Sequence, residues 1–557
     1  MISRGIKLLP AVLNMTRRMI TLIMIALGFA TACRATQVPP NILIILTDDQ
    51  GFGDVGFNCE NSTGMCARTP HMDALATGKD SAYFHRFYAA AGVCSPTRAA
   101  LLTGRSNRRD CIYSALACDQ ENPAPTCAQG STGALPWSEF TVAKAAKKST
   151  LGDYATIQLG KWHLGDLWDK KLPDMNRKWP VSSPGDAGFD EWVTTEAEAS
   201  SSMSNCGCFP VHHAHPGPKP PSGYPNISPD GDKCVVGGGV FSDWAYPCTD
   251  YFYPNASDPR NVTDLAASYK VPGDDSEFIV DRFAAFLEKT VKVERRPFLA
   301  HLCMHSIHEP HPSMPQYYDL YERDPDYLGT LTQLDVQIGR IIALLDEYGV
   351  TNRTAVFFTA DNGPHQGAER TDIHWSTAFL RQCKASIFEG GLRVPGILKY
   401  PALIRGQGPL NVTTPVQTTD FLPTIMELLG GVASDNPTWP LDGASLLPVV
   451  ARPDAPRATP LVFSWGGQSG VIDNDWKIVT KPAVGQCTKQ AGFDFNSKDK
   501  HFLFNLADDY HELHDLKASE PAQFARMLGL LTDFLASVDN SQANETRCVG
   551  AAPHGHK

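Results

Sequence analysis

The chain carries little charge for its 557 residues, 20% of the total, and the basic residues are the minority: 49 Lys and Arg against 60 Asp and Glu, a formal charge of -11. Binding nucleic acid through its phosphates needs a basic face, so this balance argues against a nucleic-acid partner. An anionic ligand would have to be held by a local cationic pocket instead. Long apolar runs are also missing, and the run from Met19 to Ala32 falls short of the ~20 residues that a membrane span requires. There is no internal repeat and no low-complexity tract. With 42% hydrophobic residues, bulk disorder is excluded, and the length allows one large domain with a sizeable core plus a smaller one.

What is present begins with a leader. The first 35 residues carry only basic charges, at Arg4, Lys7, Arg17, Arg18 and Arg34, and the Met19 to Ala32 run follows the arginine pair. These are the n-region and h-region of a secretory signal, with cleavage after Ala32 or Ala35. Its loss leaves 44 basic residues against 60 acids and moves the charge from -11 to -16. An uncleaved anchor is one alternative. A bacterial lipoprotein is another, since Ala30-Thr31-Ala32-Cys33 loosely resembles a lipobox. Fifteen cysteines in an exported chain suggest disulfides, above all in the clusters Cys59/Cys66, Cys111/Cys118/Cys127 and Cys206/Cys208/Cys234/Cys248, although connectivity cannot be read from spacing. Downstream of the leader, seven Asn-x-Ser/Thr sites, at Asn61, Asn226, Asn255, Asn261, Asn352, Asn411 and Asn544, favour a glycoprotein on a eukaryotic secretory route. The expected destination is extracellular or lysosome-like, with the bacterial periplasm as the alternative.

Three short apolar runs end in polar clusters. Asn41 to Leu46 precedes Thr47-Asp48-Asp49-Gln50-Gly51, Ala355 to Thr359 precedes Ala360-Asp361-Asn362-Gly363, and Pro297 to Met304 precedes His305-Ser306-Ile307-His308. Each reads as a buried parallel strand whose carboxyl end is where open α/β sheets build sites. Tyr327 to Tyr348 has apolar residues at helical spacing. Such alternation predicts an α/β fold, a large and mostly parallel sheet sandwiched by helices. The catalytic region is placed at 36–451, with a Cys/Pro-rich insertion at about 194–271, and a smaller α+β domain at 452–557.

If the first two strands are neighbours, Asp48, Asp49, Asp361 and Asn362 converge as oxygen ligands, a set suited to Ca2+ or Mg2+, whereas zinc would recruit His or Cys. The plainer reading is that acids after strands cap helices or turn the chain. The segment Cys94-Ser95-Pro96-Thr97-Arg98 reads as a turn opening a helix, with Ser95 or Thr97 as the cap and Pro96 in the first turn. A cysteine there is an activated, anion-facing position, and Arg98 lies one turn on. On spacing alone, a buried structural cysteine is the simpler account.

The run CSPTRAALLTGR resembles the type I sulfatase signature, in which Cys-x-Pro-x-Arg directs conversion of the cysteine to formylglycine (3-oxoalanine). GKWHLG at Gly160 to Gly165 is similar to that family's second signature, with Asp153 in its lead-in where Gly is usual. NILIILTDDQGFGDVG, the HEPHP segment from His308 to Pro312, TADNG, LRQCKASIFEGGLRVP and FNLADDYHELHDL also resemble the family in order, from about Asn41 to Leu516. The arylsulfatase and N-acetylgalactosamine-sulfatase branch is the most similar. The resemblance implies an alkaline-phosphatase-like fold and a metal site of Asp48, Asp49, Asp361, Asn362 and the modified Cys94, holding one divalent cation, Ca2+ before Mg2+. It gives Arg98 the formylglycine hydrate to hold, and places Lys161, His163, His308 and Lys384 around the sulfate and its leaving oxygen. It also implies a formylglycine-generating enzyme as maturation partner and a sulfated small molecule or saccharide as substrate. Taken singly, Lys161 and Lys384 read as solvated charges and the histidines as structural.

Two competing functions follow from the same residues. A phosphate monoesterase or diesterase would share the sheet and metal layout, but no second, His-rich zinc set is visible. A secreted carbohydrate-binding glycoprotein could keep the fold without activity, against which stands the retention of Cys94, Arg98 and every matching metal position. His212, His213 and His215 lie in a Pro/Gly-rich setting without a supporting pattern and are read as a solvated loop.

Overall fold

Every side chain from Ile42 to Leu46 is apolar because the strand that carries them is covered on both faces. In the computed structural model of the protein this strand, Asn41–Thr47 (β1), is buried along its whole length. The structure describes residues 38–59, 65–115, 134–165, 182–195, 274–308, 311, 313–365, 376–480, 487 and 500–544, and the backbone of five short strands between 226 and 264. The leader, the three histidines at 212, 213 and 215 and most of the 194–271 insertion lie outside the described residues.

β1 belongs to a ten-stranded sheet with Ser81–Phe84 (β2), Ala155–Lys161 (β3), Glu191–Thr195 (β4), Phe252–Asn255 (β5), Asp258–Asp264 (β6), Phe298–Cys303 (β7), Thr354–Ala360 (β8), Gly396–Lys399 (β9) and Leu410–Val412 (β10). Their spatial order is β6-β5-β4-β3-β7-β1-β8-β9-β2-β10. The five central strands, from β4 to β8, run parallel, and antiparallel pairings occur only toward the two edges. β5 and β6 fall within the insertion, which therefore extends the sheet as well as elaborating its surface. Strands near an edge are not required to be apolar throughout, so no periodicity in the sequence marked them.

Alternation along β1 divides the core. Ile42, Ile44 and Leu46 pack with residues of the helices Cys94–Thr103 (α2), Val142–Lys147 (α3) and Phe421–Leu428 (α6). Leu43 and Ile45 face Pro70–Thr77 (α1), Ser276–Leu287 (α4) and Pro325–Glu347 (α5) on the opposite side. Fully burying one such side chain is worth ~1.5–3 kcal/mol, and truncating it to alanine costs ~2–5 kcal/mol. The helix read at 327–348 is α5, whose Leu331, Leu334, Ile338 and Ile341 are all buried.

The smaller C-terminal domain is an antiparallel meander of Leu461–Trp465 (β11), Gln468–Asp473 (β12), Trp476–Thr480 (β13) and His501–Asn505 (β14). The helix Pro521–Asn544 (α7) packs Met527, Leu531 and Val538 against Val471, Ile478 and Leu503. The other face, with Phe463, Val479 and Phe504, meets Tyr88, Ile387, Phe388 and Leu392 of the larger domain. Two disulfides join described residues, Cys59–Cys66 and Cys383–Cys487. The first falls in a cluster noted in the sequence. The second spans 104 residues, and no spacing rule could have paired it. No described helix is long and apolar enough to cross a membrane.

Candidate active site

Sheet register brings the polar strand ends together. Thr47 pairs with Ala360, and the Asp361 N–H donates to the Thr47 carbonyl at 3.1 Å, so Asp48 and Asp49 emerge beside Asp361 and Asn362. On the other side of β1, the Asp48 N–H donates to the Ser306 carbonyl and the Ile307 N–H to the Asp48 carbonyl, which draws in the segment leading to His308. One strand further out, Gly160 pairs with Cys303 and delivers Lys161 and His163. Gly160 has φ +84, and a Cβ there would lie 1.9 Å from the Cys303 carbonyl oxygen, so only glycine allows this approach.

Cys94 heads α2 with Val93 before it, and Val93 makes no side-chain cap bond. Neither Ser95 nor Thr97 is the cap expected from the sequence. Thr97 instead ties the helix back to Ala91 through its hydroxyl, donating to the carbonyl at 2.9 Å and accepting from the N–H at 3.1 Å. Pro96 is the third helical residue, where no intrahelical N–H bond is lost. The Cys94 thiol lies 3.5 Å from Asp48 Oδ1. Burial, then the charge of Asp361, pushes its pKa upward. Asp48, Asp49, Asp361 and Cys94 each offer a ligand atom within 4.8 Å of the others, and all four are buried.

Three fixed cations face this cluster. Arg98 donates from Nε and Nη2 to Asp361 Oδ2 at 3.0 and 2.8 Å and approaches Asp48 Oδ2 at 3.4 Å. Lys161 Nζ bonds Asp48 Oδ2 at 2.5 Å, and Lys384 Nζ lies 2.7 Å from Asp49. Burial alone would raise Asp48, but Lys161, His308 and Arg98 hold it well below the usual carboxylate range. Burial raises Asp361 to about 6, with Asp48 adding to it and Arg98 opposing only in part. His308 Nε2 stands 3.6 Å from Asp49 Oδ2, and burial and the Lys384 ammonium lower its pKa to about 4, so its ring is neutral at neutral pH. His163 is lowered further by burial, Lys161 and Arg98. Asp49 and His163 have φ of 56 and 55, left-handed values that non-glycine residues adopt where the surroundings impose them.

The donor chemistry suits a hard divalent cation. Three carboxylates and an amide supply oxygens, and the Asn362 Oδ1 is buried without a hydrogen-bond partner among the described residues while its Nδ2 donates to Asp49 at 2.6 Å. Asp48, Asp49 and Asp361 are formally balanced by Arg98, Lys161 and Lys384, so a bound cation would leave the pocket positive toward an anion. The structure thus brings together all ten residues singled out in the sequence: Asp48, Asp49, Cys94, Arg98, Lys161, His163, His308, Asp361, Asn362 and Lys384.

It also adds residues that sequence reasoning missed. His365 stacks parallel to His308, with ring centroids 6.4 Å apart, and contributes to lowering Asp49. The segment before His308 is held from behind. His305 Nδ1 lies 2.5 Å from Asp275 Oδ2, its Nε2 lies 2.9 Å from the Thr195 hydroxyl, and Ser306 donates to Asp274. In sequence Asp274 and Asp275 look like ordinary helix-start acids; only His365, three residues after Asn362, carried a positional signal.

The sulfatase family profile matches residues 40–432. N-acetylgalactosamine-6-sulfatase of Mus musculus is 29% identical over 438 residues, covering 77% of this chain and 69% of its own. Arylsulfatase G of Rattus norvegicus is 28% identical over 548 residues, 93% of this chain and 91% of its own. Among solved structures, the sulfatase PsFucS1 from Pseudoalteromonas sp. superimposes with a TM-score of 0.64 at 20% identity, over 93% of this chain and 94% of that one.

Proposed function

The chain belongs to the sulfatase family, hydrolases of sulfate esters, and on that premise we propose that it uses a formylglycine made from Cys94 and one divalent cation, Ca2+ before Mg2+. The observation that carries this reading is the convergence of Asp48, Asp49, Asp361 and Cys94 within 4.8 Å at the ends of two strands and a helix. Asp48, Asp49, Asp361 and Asn362 would hold the cation, together with the modified residue 94. The two groups would supply charge neutralisation at the sulfate oxygens, a hydrate hydroxyl to attack sulfur and a second hydroxyl whose deprotonation releases sulfate. A thiol offers no second hydroxyl.

The remaining roles belong to side chains of this chain. Arg98, locked on Asp361 by two bonds to one oxygen, orients the nucleophile one helical turn away. Lys161 and Lys384 stabilise charge on the sulfate oxygens in a site largely closed to water, where such charges act strongly. Lys384, kept protonated by Asp49 against its burial, and His308 face the departing oxygen; with a ring neutral at neutral pH, His308 serves by an N–H hydrogen bond. His163, whose buried Nδ1 has no hydrogen-bond partner among the described residues, is the base for the release step.

The relative's name points to sulfated amino sugars, and this chain is proposed to act on sulfated saccharides or aryl sulfates after export and maturation by a formylglycine-generating enzyme. Residues 36–451 form the catalytic unit in this reading and 452–557 the smaller domain, in an extracellular or lysosome-like compartment. The test is the peptide FYAAAGVCSPTR, released by cleavage after Arg86 and Arg98. In active protein it should be partly lighter than the cysteine form and reactive toward a hydrazide, with activity following that share. An intact thiol in an efficient preparation would refute the mechanism, and faster turnover of a matched phosphate ester would refute the substrate class.

A further inference from the structure

Lys384 reaches Asp49 from a segment with little regular structure of its own. Between Ser376 and Phe388, four non-glycine residues, Ala378, Phe379, Gln382 and Ala385, have φ between 52 and 68. L-residues adopt this region reluctantly, so local preference does not hold the segment, and its surroundings must. The larger domain supplies part of the support. Lys384 N–H donates to the Pro364 carbonyl at 3.0 Å and Ala385 N–H to the Gly92 carbonyl at 2.7 Å.

The rest comes from the C-terminal domain, at three successive points. At the start, His511 Nδ1 lies 3.0 Å from the Phe379 carbonyl. In the middle, the residue next to Lys384 is covalently tied, through the buried Cys383–Cys487 disulfide. At the end, Glu389 enters a charge cluster closed to solvent. Its Oε1 lies 2.9 Å from Lys477 Nζ, Lys477 reaches Glu512 Oε1 at 2.8 Å, and Glu512 Oε2 accepts the Glu389 N–H at 2.8 Å. Glu389, Lys477 and Glu512 all have 0% exposure.

We propose that the C-terminal domain is a positioning element for the active site, with Cys383–Cys487 and the Glu389–Lys477–Glu512 cluster fixing where the Lys384 ammonium stands relative to Asp49. The inference rests on the role given above to Lys384 and adds the device that makes a residue on an irregular segment dependable. A shift of about 1 Å in such a group can cost on the order of a hundredfold in rate. None of these anchors is among the residues that form the site, and the route proposed for them runs through Lys384.

That dependence gives the test, a double-mutant cycle in the full-length, matured enzyme. Cys383→Ala with Cys487→Ala should lower kcat by about tenfold or more, yet cause no further loss when Lys384→Ala is already present. Should the disulfide variant fold poorly, Glu512→Gln alters the same cluster while keeping the side-chain shape and the disulfide, and should show a smaller loss that also vanishes in the Lys384→Ala background. Equal fold-losses in both backgrounds would mean that the anchors serve general stability and would overturn the proposal, as would unchanged kcat in both anchor variants. Unchanged turnover in Lys384→Ala alone would instead refute the role assigned to Lys384.

Discussion

Asp361 offers the most quantitative test of the cation site. Its carboxylate accepts from two Arg98 nitrogens and also accepts the Asp49 N–H at 3.2 Å. Alanine would leave a buried guanidinium short of its partner, at a cost of ~3–5 kcal/mol in fold stability, which would confound any loss of activity. Asp361→Asn removes the charge and keeps the shape. In protein treated with a chelator, the carboxyl is raised from 3.8 to about 6 by burial and by Asp48. The folded chain therefore binds more protons than the unfolded one between those values, so this contribution to stability is full below pH 3.8 and is lost as pH rises through about 6. The loss amounts to about 3 kcal/mol. A cation at a hundred times its Kd returns about 2.7 kcal/mol. With ~2.1 cal/mol/K of unfolding entropy per residue, that is a rise of about 2 °C in Tm for a chain of this length. Thermal unfolding with chelator or Ca2+, between pH 4 and 8, should be read as the difference between wild type and Asp361→Asn, because the buried His308, His301 and His163, with lowered pKa values, gain stability over the same range. That difference should shift against wild type as pH rises and back toward it with Ca2+. The asparagine variant should lose less stability with pH and gain less from the cation. A difference in Tm between wild type and Asp361→Asn that is indifferent to both pH and Ca2+ would refute the reasoning.

Other expectations are simpler to read. Cys94→Ala should abolish turnover, and Cys94→Ser nearly so in a host that does not oxidise serine at this motif, as measured on an aryl sulfate. Lys384→Ala should lower turnover by about a hundredfold through loss of a charge-assisted bond that strengthens in the transition state, and Lys384→Arg should not restore it because the guanidinium is wider and planar. Lys477→Met should remove the ammonium shared by Glu389 and Glu512, leaving Glu389 the more distant Arg393 at 3.7 Å, and should cost ~3–5 kcal/mol in denaturant unfolding; a change under ~1 kcal/mol would show that the cluster is not tightly coupled. A panel of defined sulfated saccharides and aryl sulfates would separate the two substrate classes, and no detectable turnover of either by protein carrying the modified residue 94 would favour a binding role.

The legible part of this protein was whatever depends on short-range pattern. The strand Asn41–Thr47 could be read because both its faces are covered and no polar residue interrupts it, and α5 because its buried residues recur at helical spacing over 23 residues. The site was legible to the extent that its residues sit at strand ends or inside two contiguous motifs, so their order along the chain already matched their chemistry. Tertiary structure alone decided what depends on which segments meet. Register placed Asp361 beside Thr47, 314 positions away in the chain by their numbering, and only that pairing makes four separate polar residues into one cradle. Cys383 could not be matched with Cys487 from spacing, nor Glu389 with Lys477 and Glu512, because a cysteine or a charge carries no mark of its distant partner. The signs of the pKa shifts were equally out of reach: His308 is neutral because burial and Lys384 outweigh Asp49, a balance of distances that exists only once the sheet, the Lys384 segment and the C-terminal domain are packed together.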